Sequence, residues 1–536
     1  MESYYVRTED LKAEQVSDLF VETDKDRKIV NAIKSHQPVI LEGSRGVGKS
    51  FLFKVAQAEL KEDFNKEKVL PVYVTFNKSS LISTDDEDQF VHWMTARICS
   101  NIVRSLNRYG LLTSTPRSVG LLSGGSGSDA EETNVEKIAS AYERSWDSDI
   151  EDLDLDILPT PTTMKQAVED ICRYLDISSI NLLIDEAAHV FLPEQQRQFF
   201  TLFRDLRSPY LTCNAAVYPG VTSYGESFEP THDANMHTLV RDPMSQNYVS
   251  TMQEMVTRQV DDDDTLQMIA HRQDNFSILA YASSGNPRTL LKTFRRGGLS
   301  GNDVNNTVRE YYRTDIWSEH SSLSEKYPNH RPLIDWGREF IENKVLKSLK
   351  NKNDRYLDDG DRSTAFFWIH RDSPQQVKES LRLLTYTGVV RSHSEGIKAS
   401  RSRIGTRYMV NLGCLFALEP KPTSTSLNIA SNLTPKRMTE YGENHESFRD
   451  LIDKTPDFNE VDTEDALERQ IDKSIDVLDL TNFKKRKLRN EVGIETIGEV
   501  LRASESDIQQ AYYMGEKRSR RVKNTAYAAV MEYLSG

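Results

Sequence analysis

Cysteine is scarce. Cys99, Cys172, Cys213 and Cys414 stand far apart in 536 residues with no CxxC pair, which argues against a redox motif and a cysteine-paired zinc site. They are expected as small buried hydrophobes. No apolar run approaches the ~20 residues of a membrane span, and the opening residues MESYYVRTED lack the apolar stretch of a secretory leader. A cytoplasmic location with no membrane partner is the expectation. There is no repeat of fixed period and no nuclease or protease signature. Positive charge is also in deficit, with a formal net charge of −14. Such a balance normally counts against nucleic acid as a partner, but its distribution matters more than its total. Between Asp129 and Asp156 eleven acids face only Lys137 and Arg144. Residues 471–536 carry twelve Lys or Arg against ten acids, clustered at 484–489 and 517–523. A basic terminal module on an acidic body results.

What is present describes a globular chain of several domains, 38% hydrophobic and 28% charged. Residues 37–42, 68–77 and 181–184 are short apolar runs of the kind that form fully buried strands. Residues 51–60 and 89–106 have apolar positions at three- and four-residue spacing. Strands alternating with helices predict an α/β fold with a parallel sheet. Residues 114–161 break this pattern with STPRSVGLLSGGSGSDAEE and the acidic run. They are expected as a flexible insertion, either a plain solvated loop or an acidic docking segment. A polar stretch at 419–470 is expected to be a linker.

The loop GSRGVGKS fits GxxxxGK[ST], with Gly43, Ser44, Arg45, Gly46, Val47, Gly48, Lys49 and Ser50 leading into Phe51. Its glycines let successive N–H groups turn towards one anion. Lys49 is expected to reach the β- and γ-phosphates, and the Ser50 hydroxyl to ligate Mg²⁺. The run NLLIDE ends in two carboxylates, Asp185 for Mg²⁺ and Glu186 for polarising the attacking water. ATP and Mg²⁺ are the cofactors this implies. His189 is taken as a packed or surface histidine.

Residues 283–291, SSGNPRTLL, follow a helical region and place Arg288 behind Asn286-Pro287. Here the sequence resembles the sensor 2 motif of AAA+ ATPases, which implies a helical lid whose arginine meets the γ-phosphate. Arg288 is the matching position. The strand ending near Val217 should supply a polar sensor 1 residue, yet it runs into AVYPGVTSYG, so Tyr218, Thr222 and Ser223 stay weak candidates. A trans-acting arginine finger is unassigned as well. Arg207 and Arg241 both read equally as structural, ion-pairing arginines.

Beyond residue 331, helical stretches precede the basic segment RSHSEGIKASRSRIGTRYMVNLG, the outline of a winged helix with Gly396 or Gly405 at the hairpin turn. Arg391, Lys398, Arg401, Arg403 and Arg407 would then lie on the wing. Winged helices also dock proteins. The order of P-loop core, lid and winged helix resembles the initiator clade of AAA+ ATPases, meaning origin-recognition-complex subunits and archaeal initiators. Similar ATPases occur in bacterial defence operons. The last module resembles tandem helix-hairpin-helix units such as the C-terminal domain of the RNA polymerase α subunit. Turns at Gly493 and Gly515 carry that match, with Lys517, Arg518, Arg520 and Arg521 as counter-charge to a phosphate.

The expected organisation is a core over 1–225, a lid over 226–330, a winged helix over 331–418, the linker, and a helix-hairpin-helix over 471–536. The expected function is an ATP-hydrolysing switch acting at DNA, with Glu186, Asp185, Lys49 and Arg288 as its catalytic set. The alternative is a signalling or defence ATPase that docks a protein effector. A homo-oligomer stays open in both cases.

Overall fold

Buried apolar strands separated by helical crossovers assemble as parallel neighbours, because both faces of such a sheet are covered. Five strands do so here: β1 (Val39–Glu42), β2 (Val69–Thr75), β3 (Ser179–Asp185), β4 (Leu211–Val217) and β5 (Asn235–Thr238). Their order is β2-β3-β4-β1-β5, and every pairing is parallel. The computed structural model describes the chain except residues 1–4, 6–7, 79–87, 113–116, 126–131, 144–153, 188–192, 220–221, 223, 225–227, 261, 327–329, 400–402, 453–470, 479, 516–517, 520–521, 524 and 527–536. His189 and Ser223 lie outside the described residues.

β3 and β4 are buried along their whole length, and two polar side chains inside them fix the register. Asn214 donates from Nδ2 to Asn181 Oδ1 at 2.7 Å and accepts the Val39 N–H at 3.1 Å, while Asn181 donates to the Ile33 carbonyl at 2.9 Å. A one-residue slip would strand these buried amides without partners. β5 pairs beside β1 at the sheet edge, so the sheet extends past residue 225, where the core was expected to end.

The expectation of a flexible insertion over 114–161 is corrected in part. Helices Arg117–Ser123 and Asn134–Tyr142 form within it. Val135, Ile138, Ala139 and Tyr142 join the buried cluster that also holds Trp93 and Ile102 of helix Gln89–Arg108. Thr133 and Glu136 close a capping box. Glu143, itself buried, accepts from Trp93 Nε1 at 3.2 Å and pairs with Lys78 and Arg97. The acids that suggested a solvated loop thus include two that are buried and paired.

From Tyr248 to Leu451 one hydrophobic cluster runs through both the helical region after β5 and a second sheet. That sheet has the order β7-β8-β6-β9, with β6 at Phe366–His370, β7 at Val390–Lys398, β8 at Ile404–Val410 and β9 at Thr439–Tyr441. Helix Gln375–Tyr386 packs beside helix Arg331–Phe340, with Ser380 Oγ donating to the Leu333 carbonyl at 2.8 Å where Gly337 leaves room. Two helices and the β7–β8 hairpin complete a winged helix.

The linker expected over 419–470 is also corrected. Helix Pro422–Ser431 carries the buried Ile429 and Ala430, and β9 pairs with β6, so residues up to Ile452 belong to the winged-helix body. Residues 453–470 lie outside the described residues. The C-terminal module closes its own core around Ile475, Leu488, Ile497, Val500 and Ile508.

Ile138 is 2% exposed inside the core cluster, so Ile138→Ala should destabilise the chain by about 2–5 kcal/mol. A lower urea midpoint, followed by tryptophan fluorescence, checks this. An unchanged midpoint would mean that helix Asn134–Tyr142 adds nothing to the core.

Candidate nucleotide site

Parallel strands deliver their C-terminal ends to one edge of the sheet, where the loop after β1 meets the end of β3. Gly46 (φ 79°) and Gly48 (φ 106°) adopt left-handed backbone, which glycine takes at little cost. Gly46 has a second reason to be glycine. A Cβ there would lie 2.8 Å from both Arg288 Cβ and Asn286 Oδ1.

Helix Lys49–Glu62 starts directly from the loop. Lys49 Nζ donates to the Gly43 carbonyl at 2.6 Å and the Ser44 carbonyl at 3.3 Å, and lies 3.9 Å from the Tyr218 ring centroid. Burial pushes its ammonium down to about 7, against the pull of Asp185 and Glu186. An arriving phosphate would add to that pull and favour the charged ammonium.

Asp185, buried at the end of β3, accepts from Tyr73 Oη at 2.6 Å and from the Glu186 N–H at 3.0 Å. Tyr73 sits two residues before the end of β2, next to β3 in the sheet. No motif marks it, although its hydroxyl orients the carboxylate. Glu186 has φ 57°, an arrangement costing a non-glycine residue about 1–3 kcal/mol and common where function over-determines the backbone.

These groups line one cavity of about 620 Å³, which includes residues Arg45 to Leu52 of the loop and helix, Asp185, Glu186, Tyr218 and Arg288. Leu19, Phe20, Val21, Met255 and Leu291 line it too. An apolar compartment joined to a cluster of cations, carboxylates and glycine backbone matches a ligand with a flat ring system and a phosphate chain. Ser50 and Asp185 provide a hydroxyl and a carboxylate, hard oxygen donors of the kind Mg²⁺ accepts.

Helix Pro287–Arg296 is docked on the loop rather than standing apart from it. Asn286 caps that helix through Oδ1 (3.2 Å from Thr289 N), and its Nδ2 donates to the Arg45 carbonyl at 2.7 Å. The Arg288 N–H donates to the Gly46 carbonyl at 3.4 Å. The structure therefore brings the Asn-Pro-Arg motif to the phosphate loop.

Of the two arginines with an open role, Arg241 is an internal brace. Its Nη1 donates to the Val47 carbonyl at 2.5 Å and its Nη2 pairs with the buried Asp26 at 3.4 Å. Arg207 is exposed beyond helix Pro193–Asp205 and does not line the cavity. Tyr218 follows β4 and meets Lys49, while Thr222 donates to the Tyr218 carbonyl at 2.7 Å. The Tyr218 ring also packs edge-on against Tyr386 of the winged helix, with centroids 5.4 Å apart. Arg45 pairs with Glu319 at 3.9 Å.

The wing residues separate into two groups. Arg391 lies on β7 at the base of the wing, but its charge is engaged inside the fold: it pairs with Asp242 at 3.1 Å, and its side chain is only 19% exposed. Arg407 is half-buried on β8. Lys398 and Arg403 are exposed at the two ends of the hairpin turn, closed by the Ala399 N–H to the Arg403 carbonyl at 2.8 Å. Arg401 lies outside the described residues. Gly396 and Gly405 sit within strands, not at the turn. Gly405 is required because a Cβ there would come 2.1 Å from the Ile369 carbonyl oxygen.

In the C-terminal module Gly493 does take left-handed backbone, but near the second turn the left-handed residue is Tyr513 (φ 72°) and not Gly515. Arg518 donates to the Tyr513 carbonyl at 2.8 Å. Lys517, Arg520 and Arg521 lie outside the described residues.

Residues 4–236 match the family model described as ORC-CDC6-like. No curated protein matches the chain. Among solved structures, the Aeropyrum pernix ORC2 protein in ADPNP–ADP complexes is similar at 14% identity, covering 78% of this chain and 92% of that one with a TM-score of 0.33. The Aeropyrum pernix ORC1 protein in complex with DNA is similar at 12% identity, covering 79% and 96%, with a TM-score of 0.30.

Arg241→Ala should leave Asp26 buried without its cation and free the Val47 carbonyl, a loss of up to about 3 kcal/mol because the Arg241 side chain keeps 12% exposure. A lower melting temperature with weaker binding of a fluorescent ATP analogue is expected. Unchanged analogue affinity would show that the loop keeps its shape without the brace.

Proposed function

We propose, from the match of residues 4–236 to the ORC-CDC6-like family model, that this chain is an AAA+ switch that binds and hydrolyses ATP and acts at DNA. One observation carries the proposal: the glycine loop, Asp185, Glu186 and Arg288 line a single cavity. Loop N–H groups over residues 45–50 take the phosphates, Lys49 leaves its carbonyl partners for the β- and γ-oxygens, and Arg288 reads the terminal phosphate. Ser50 and Asp185 would hold Mg²⁺, which supplies charge neutralisation on the phosphates when bound. Glu186 orients and polarises the attacking water. Tyr73 holds Asp185 in place, and Arg241 holds the loop.

The coupling to DNA runs through the same loop. Arg45 meets Glu319, Tyr218 meets Tyr386, and Asp242, next to the brace Arg241, pairs with Arg391. A change of nucleotide state at the loop is therefore felt by the winged helix, whose exposed Lys398 and Arg403 offer charge to DNA phosphates.

Lys49→Ala should weaken ATP binding, whereas Glu186→Gln should keep binding and slow hydrolysis, because only Glu186 acts on the water. Analogue binding and phosphate release measured on both variants separate the roles. Wild-type hydrolysis by Glu186→Gln would refute the assignment.

Lys398→Ala with Arg403→Ala should weaken duplex DNA binding and reduce the slope of log affinity against log salt by about 2, as two phosphate contacts are lost. Binding that is unchanged at every salt concentration would remove the wing from the interface.

A further inference from the structure

Among the described residues, seven large hydrophobic side chains are exposed, and four of them, Val477, Phe483, Tyr512 and Tyr513, belong to the C-terminal module. The concentration is notable because this module has a closed core of its own, so these rings are not needed to complete it. Tyr512 is 69% exposed, Tyr513 61% and Phe483 46%. Their positions are held. Lys487 Nζ lies 5.0 Å from the Tyr512 centroid and 5.7 Å from the Phe483 centroid, bridging the two rings. Lys487 also pairs with Glu491, whose carboxylate accepts the Tyr512 N–H at 2.7 Å. Tyr513 keeps a left-handed backbone unusual for an aromatic residue. Its ring stands 5.8 Å from that of Tyr512, with the Arg518 guanidinium 4.3 Å from its centroid.

The result is a row of three solvent-facing rings with cations between and beside them. The helix bearing Phe483 reads NFKKRK, and among the described residues two neighbouring acids are already engaged, Glu491 with Lys487 and Asp476 with Arg489 at 3.0 Å. A polyanion with flat, separable ring faces complements this surface. Duplex DNA offers phosphates but keeps its base faces stacked on one another, leaving the tyrosines nothing to cover. Single strands expose both groups, and stacking on aromatic side chains combined with a cationic groove is how such strands are held without sequence preference.

We propose that Tyr512, Tyr513 and Phe483 form a stacking platform for the bases of single-stranded DNA, with phosphates taken by the exposed Arg486 and Arg518. The choice of DNA over RNA rests on the reading of the chain as acting at DNA, whereas the preference for single strands rests on the rings alone. Such a platform would let the C-terminal module hold an opened strand while the winged helix holds duplex.

The test is fluorescence anisotropy on the full chain with labelled oligothymidine and a duplex of equal length. The double variant Tyr512→Ala, Tyr513→Ala should bind oligothymidine about tenfold or more weakly, with duplex affinity unchanged. The Tyr512→Phe, Tyr513→Phe variant keeps the rings and should bind as the wild type does, and circular dichroism checks that both variants remain folded. Oligothymidine binding by the alanine variant at the wild-type level would overturn the platform and leave the face to a protein partner. An equal loss for duplex and single strand would overturn it too, since rings would then not discriminate. Wild-type chain that retains duplex but not oligothymidine sinks this proposal alone. Failure to bind either sinks the DNA reading with it, and tighter binding of oligouridine would overturn the choice of DNA.

Discussion

A glycine-rich loop has few side chains with which to hold its own shape, and here its carbonyl groups are claimed one by one by its own lysine and by distant parts of the chain. Lys49 takes Gly43, Asn286 takes Arg45, the Arg288 N–H takes Gly46, and Arg241 takes Val47. The conformation that presents N–H groups to a phosphate therefore depends on carbonyls being tied back on the other side. Arg241 is the most consequential of these ties, because it also neutralises the buried Asp26 at the start of helix Asp24–Lys34. The phosphate loop, helix Asp24–Lys34 and the segment after β5 share one guanidinium.

This arrangement makes the helical region part of the nucleotide site instead of a lid hung beside it. Asn286 contributes one side chain to two tasks, capping its own helix and holding the loop. The winged helix is joined to the same place through Tyr386 against Tyr218, and Arg391 against Asp242. One hydrophobic cluster runs from the helical region into the second sheet, so the two share a packed core.

Two stretches show how composition hides structure. Residues 114–161 are polar and acidic on average, yet Val135, Ile138, Ala139 and Tyr142 fall at three- and four-residue spacing and face helix Gln89–Arg108 as one stripe. Averaging over the acidic run masked that stripe. Residues after Glu419 read as a linker because β9 has only three residues and its partner β6 lies some seventy positions earlier. A strand that short is legible only once the sheet it joins exists.

The phosphate loop, the paired carboxylates ending β3 and the Asn-Pro-Arg motif were all legible in the sequence, because each works through local geometry: left-handed glycines, an apolar strand ending in acids, a proline starting a helix. The parallel sheet followed from buried strands alternating with amphipathic helices. Tyr73 and Arg241 could not be found this way, since what makes them functional is a partner 112 and 194 residues distant along the chain. The same holds for Arg391, a basic residue in a basic segment whose carboxylate partner lies 149 residues earlier. Local chemistry is written in consecutive residues. Which charges are spent inside the fold, and which remain at the surface for a partner, is decided only when distant segments meet and desolvate one another.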